Sequence, residues 1–157
     1  MSDPGPSLLS PDQARALGCV LDEIIPESAD GGLPGARELG LVDNIEQALE
    51  RMPDLKTAID AGLSALQDLV RERGAEDYAA LPQPQRREIL DQLAAAQPAF
   101  LPGLIFHTYV AYYQHPRVLE ALGLEARPPF PKGYEMQPGD FGGLEAVRRR
   151  GRIFREC

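Results

Sequence analysis

Apolar positions recur along this chain at intervals of three and four, and the runs break at proline and glycine, which predicts helices joined by short turns. Ser10-Pro11-Asp12-Gln13 opens the first helix. It offers a serine able to cap, a proline whose missing N–H is no loss at the first helical position, and a glutamine three residues past the cap. Ala14, Leu17, Leu21 and Ile24 share one face, with Val20 and Ile25 beside them, until Pro26 interrupts the hydrogen-bond ladder. Residues Glu27 to Gly35, with Gly31-Gly32 and Pro34-Gly35, read as a loop. A second helical segment is expected from Ala36 to Met52, carrying Leu41, Val42, Ile45, Leu49 and Met52, with Gly40 bending its first turn and Pro53 stopping it. Leu55, Ile59, Leu63, Leu66 and Val70 give the cleanest repeat, and Gly74 supplies its C-cap. After a loop from Asp77 to Pro84, Ile89, Leu90 and Leu93 mark a fourth helix that ends at Pro98.

The fifth segment, Leu101 to Gln114, is apolar nearly all round and holds Tyr109, Tyr112 and Tyr113. A helix apolar on every face must be covered on every face. It is therefore expected at the centre, either wrapped by the other four helices or meeting a partner with part of its surface. A short helical turn from Pro116 to Leu122 closes at Gly123, and the proline-rich run Arg127 to Tyr134 favours extended, polyproline-like chain. No window keeps a two-residue alternation long enough for a strand. The expected fold is all-α, a small irregular bundle of about five helices. Residues 1–10 form a flexible lead-in, 11–123 the helical domain, and 124–157 an extended C-terminal strap.

The 157 residues leave room for one core. A net charge of −8 argues against a general nucleic-acid or anionic-membrane binder, whose affinity comes from neutralising phosphates. That charge is uneven: over residues 146–157 five arginines against Glu156 give +4, leaving −12 for the rest. Cys19 and Cys157 belong to no metal or redox pattern. Met1 to Pro11 has no basic start, apolar stretch or twin arginine, and no run approaches the roughly 20 apolar residues of a membrane span. A cytoplasmic chain without membrane insertion is the expectation.

Candidate chemistry is sparse. His107 and His115 lie about 80° apart around a continuous helix and two turns along it, with no acidic residue nearby, so no metal site is expected. His115 ahead of Pro116 suits a helix C-terminal cation. No serine sits in a nucleophile context, and the Gly31-Gly32-x-x-Gly35 loop lacks the preceding strand and following Lys or Ser/Thr of a phosphate loop. No catalytic residue is assigned. The arginine tail, punctuated by Phe141, Ile153 and Phe154, reads as a docking strap.

Leu17 to Pro26, reading LGCVLDEIIP, followed by Pro34-Gly35-Ala36-Arg37-Glu38-Leu39-Gly40 and Val42-Asp43-Asn44-Ile45, resembles the gluconate 2-dehydrogenase subunit 3 family, the small gamma subunits found with flavin-dependent GMC-type dehydrogenases of sugars and polyols. The resemblance implies a non-catalytic accessory subunit that binds, stabilises or helps mature a large flavoprotein. FAD would belong to that partner and not to this chain. Many members carry a twin-arginine signal, which is not seen here, and co-export with the partner to the periplasm is the alternative to a cytoplasmic site. The expected contact surface comprises Phe106, His107, Tyr109, Tyr112, Tyr113 and His115 on the fifth helix, then Pro128, Pro129, Phe130, Pro131 and Tyr134, and in the tail Arg148, Arg149, Arg150 and Phe154. The alternative is a stand-alone small helical enzyme or ligand-binding domain that gathers His107, Tyr109, Tyr113 and His115 around a pocket.

Overall fold

A computed structural model of the chain describes residues 8–128, 130, 132, 133, 135 and 139–151. It contains α1 (Pro11–Ile24), α2 (Val42–Arg51), α3 (Pro53–Glu72), α4 (Gln83–Ala96), α5 (Phe100–Gln114), α6 (Pro116–Ala121) and α7 (Glu145–Arg149), with 3₁₀ turns at Tyr78–Ala80 and Gly142–Leu144. No strand occurs among the described residues, and the fold is all-α as expected. The chain divides into two units, Met1–Arg127 and Pro128–Cys157.

In the first unit, α1 starts where its capping residues place it. The Ser10 Oγ accepts the Gln13 N–H at 3.2 Å, and the Gln13 Oε1 accepts the Ser10 N–H at 2.9 Å. Order reaches back further than the sequence suggests, because Leu9 is buried and its N–H donates to the Glu46 Oε1 at 3.0 Å. The second helix begins at Val42, six residues later than expected. Residues 36–41 form a turn instead, closed by Gly40 at φ 68°, a left-handed backbone that glycine adopts without a steric penalty. Leu41 drops into the core from that turn.

Helix α3 is the middle of the bundle, packed against α2, α4 and α5 and burying Leu55, Ile59, Gly62, Leu63, Leu66 and Val70. It meets α5 at unusually short range. The Phe100 ring lies directly on Gly62, where an added Cβ would come within 2.0 Å of the ring, while Gly103 of α5 leaves space for Leu55. One glycine on each helix thus sets the spacing between them.

Helix α5 does not occupy the centre. It buries Phe100, Leu104, Thr108 and Tyr112, one residue in every four, packs Leu101 and Ala111 partly against the core beside them, and leaves the opposite side exposed. Thr108 is wholly buried, and its hydroxyl donates to the Leu104 carbonyl oxygen at 2.7 Å, so a polar group sits in the core without an unmet hydrogen bond. In the second unit, residues 142–149 coil where extended chain was expected. Glu145 at the start of α7 and Arg148 at its end pair at 3.0 Å, an arrangement that also complements the helix dipole.

Candidate functional site

The uncovered part of α5 is a ridge of Ile105, Phe106, Tyr109, Val110 and Tyr113, which are 38%, 63%, 44%, 39% and 50% exposed. At 100° per residue these five side chains fan over about 140°, on the side of the helix away from the Phe100–Tyr112 row. Helix α5 holds no Asp, Glu, Lys or Arg. A solvent-facing surface of a chain with 25% charged residues normally carries such groups. The rings are ordered against each other: Tyr109 and Tyr113 stack with centroids 6.0 Å apart, and Phe106 meets His107 edge-on at 5.2 Å. Three aromatic side chains each about half exposed leave roughly 300 Å² of ring surface in water, the scale at which an apolar patch signals a binding surface.

Of the residues expected at the contact surface, Phe106, Tyr109 and Tyr113 come together on this ridge. Tyr112 does not join them. It is 2% exposed, its hydroxyl donates to the Pro34 carbonyl oxygen at 2.8 Å, and burial, aided by the adjacent Tyr113, pushes its pKa up. One residue of rotation, 100° of helix, separates it from the outward Tyr113. His107 faces a groove of ≈ 360 Å³ between α2 and α5, walled also by Asn44, Gln47, Arg51, Val110 and Gln114. His115 ends α5 and caps α6, and its Nδ1 accepts the Arg117 N–H at 3.3 Å. The imidazole thus serves as the N-cap of the next helix. The two histidines therefore do separate things, and Tyr109, Tyr113 and His115 are not among the walls of the groove that His107 faces. Among the described residues no three His, Cys, Asp or Glu side chains could hold a metal ion.

In the second unit Pro128 is exposed, Phe130 is 83% exposed, and Arg148, Arg149 and Arg150 all face solvent. Pro129, Pro131, Tyr134 and Phe154 lie outside the described residues. No single helix among the described residues is long and apolar enough to cross a membrane.

The two sequence blocks around Leu17–Pro26 and Pro34–Ile45 turn out to face one another. The Asp22 Oδ1 accepts the Arg37 N–H at 2.8 Å, and the Ala36 N–H donates to the Ile25 carbonyl oxygen at 2.9 Å. An added Cβ on Gly35 would come within 2.9 Å of the Asp22 Oδ1, so the close approach requires glycine. The Arg37 Nη1 donates to the Cys19 Sγ at 3.2 Å, and burial pushes that thiol's pKa up while Arg37 opposes the shift. The blocks are a latch that holds the 27–35 loop on α1, with its far side tied to α5 through Pro34 and Tyr112.

Sequence reasoning overlooked Glu23. Its side chain is 3% exposed and takes hydrogen bonds from the Arg86 Nε at 2.8 Å and the Arg87 Nε at 3.2 Å, joining α1 to α4. Arg86 also donates to the Leu81 carbonyl oxygen, and its own carbonyl accepts the Tyr78 hydroxyl at 3.1 Å. On sequence Glu23 follows Asp22 on what reads as a solvent face; only the arginines 63 and 64 residues later would have flagged it.

Tyr78 and Tyr112 are both held protonated, chiefly by burial. Their folded pKa values lie above the unfolded value of about 10, so their contribution to stability is complete below that pH and lost as pH rises past it. Alkaline titration should show two of the five tyrosines ionising only together with loss of the helical circular-dichroism signal. Full tyrosinate absorbance with the helices intact would contradict this.

A family model described as Gluconate 2-dehydrogenase subunit 3 matches residues 11–139 of the chain. No curated protein and no solved structure matches it.

Proposed function

Since that match spans well over half of its length, the chain belongs to the gluconate 2-dehydrogenase subunit 3 family, and on this premise we propose that it is the non-catalytic accessory subunit of a flavin-dependent GMC-type dehydrogenase of sugars or polyols. The family is that of a subunit of a dehydrogenase complex, which implies a partner. Binding and stabilising the large flavoprotein, or assisting its maturation, is the role assigned to this chain, with FAD held by the partner. The observation that carries this reading is the α5 ridge. Five adjacent apolar side chains without a charge among them stand in water on a helix whose other face is fully used by the core. Covering them removes that surface from water at no cost in buried charge. The tail arginines supply a second, polar contact and Phe130 an exposed apolar one in the separate C-terminal unit.

Co-expression with a GMC-type flavoprotein dehydrogenase of sugars or polyols tests the proposal. Affinity capture of the tagged small subunit should retain a yellow partner in fixed stoichiometry. Phe106→Asp places a charge at the most exposed ring of the ridge and should weaken capture by about 2 kcal/mol or more, roughly thirtyfold, with the helical signal unchanged. A wild-type chain that retains no flavoprotein would overturn the assignment.

A further inference from the structure

The α5 ridge runs into the groove between α2 and α5, since Val110 belongs to both. Resting on the accessory-subunit reading above, we propose that this groove receives an extended acidic segment of the large subunit and that Arg51 holds its Asp or Glu side chain.

Two rows of polar side chains wall the groove. On α2, Asn44, Gln47 and Arg51 follow at spacings of three and four, and on α5 His107 and Gln114 stand seven residues apart. Each row therefore keeps to one side of its helix over two turns, a length of about 10 Å. No hydrogen bond or ion pair among the described residues engages any of these five side chains. Arg51 is unusual in this. Arg15, Arg71, Arg73, Arg86, Arg87 and Arg117 of the same unit are each paired with a carboxylate.

Charge selects an acid as the occupant. Three other clefts of this unit each hold three or more carboxylates in their walls, whereas this groove holds none, and the acids of α2, Asp43, Glu46 and Glu50, are not among its walls. A guanidinium offers five N–H donors and no acceptor, in a fork that matches a carboxylate, so Arg51 completes its bonding with one brought from outside. His107 adds an N–H donor in either of its protonation states.

The remaining walls select extended chain. The amides of Asn44, Gln47 and Gln114 each carry a donor and an acceptor, the two functions that a strand leaves open along its edge. Between the rows lie Ala48 and Ala111, both small and partly packed on the core, so a main chain can approach closely. Asn44, Gln47, Arg51 and Gln114 are all exposed, and an open trough of this kind suits a passing strand better than a small molecule, whose sites enclose it. About three residues of extended chain span its 10 Å. A partner that covers Phe106 and Tyr109 already lies against Val110, at the mouth of the groove.

Capture of a co-expressed GMC-type flavoprotein by the full-length chain provides the test. Arg51→Glu should weaken capture about tenfold or more, and Arg71→Glu, the same charge change on an exposed arginine outside the groove, less than about twofold. The gap between these two variants should narrow as salt is raised to about 0.5 M, because an ion pair is screened. The contact can also be fixed covalently. The chain has two lysines, Lys56 and Lys132, so Arg51→Lys adds an amine against a low background. In the complex, a water-soluble carbodiimide should join that amine as an amide to an Asp or Glu of the large subunit, identified by mass spectrometry of the digest. Wild-type capture by Arg51→Glu, an equal loss with Arg71→Glu, or a crosslink that forms only to a second copy of this chain or not at all overturns the inference. Where Phe106→Asp still loses the flavoprotein in such a case, the accessory-subunit reading stands without it; a wild-type chain that captures none overturns both.

Discussion

Gly62→Ala is expected to destabilise the helical unit by about 3 kcal/mol and to lower Tm by roughly 10 °C, although alanine is the better helix former. The methyl group would need the space taken by the Phe100 ring, 2.0 Å away, and that ring is fully buried with no alternative position in a close-packed interior. The intrinsic gain of up to about 1 kcal/mol for replacing a helical glycine is outweighed by the separation forced between α3 and α5. Phe100→Leu alone should cost about 1–2 kcal/mol as a partly filled cavity. In combination the two should cost less than their sum by at least about 1 kcal/mol, because each then relieves the other. Chemical denaturation of the two single variants and the double variant measures this coupling. Strict additivity, or a Gly62→Ala chain as stable as the wild type, would show that the helices can part at this crossing without loss.

Glu23→Gln should cost about 3 kcal/mol, although it keeps the size and shape of the side chain. Removing one member of a buried ion pair leaves the other charge uncompensated, and Arg86, whose side chain is 23% exposed, cannot swing fully into water while it also bonds the Leu81 carbonyl oxygen. Arg87, 61% exposed, is the internal comparison: Arg87→Ala should cost less than about 1 kcal/mol, as expected for a solvent-screened partner. If the two variants were equally mild, the carboxylate would not be the joint between α1 and α4. If Arg87→Ala were the more damaging, the weight of the joint would lie on the exposed side. The prediction concerns folding alone, since Glu23 sits in the latch region and not on the α5 ridge.

Helices with a clear polar side were legible in the sequence. The Ser10 capping box and the 4-4-3-4 repeat of α3 fix both elements, because capping chemistry and amphipathic spacing are local properties of the chain. Helix α5 was legible as a helix and not in its orientation. A segment apolar all round gives no preferred face, so its neighbours decide that Tyr112 points in and Tyr113 points out. The start of α2 was misplaced because the apolar spacing continues through Leu39 and Leu41 even though the left-handed Gly40 ends the turn there. Glu23 and Gly62 were opaque for a shared reason: each is explained by a side chain far along the sequence, Arg86 in one case and Phe100 in the other. His115 was assigned to the helix it ends, whereas its ring nitrogen serves the helix it begins.

The stacked pair Tyr109–Tyr113 gives the chain a built-in optical reporter. There is no tryptophan, so ultraviolet emission comes from tyrosine alone, and two of the five tyrosines stand on the α5 ridge while Tyr78 and Tyr112 are sealed inside. Any molecule that settles on α5 must change the surroundings of those two rings, and a flavin-bearing one would also absorb in the region where they emit. Assembly of this subunit can therefore be followed in real time, without a dye and without altering a single residue.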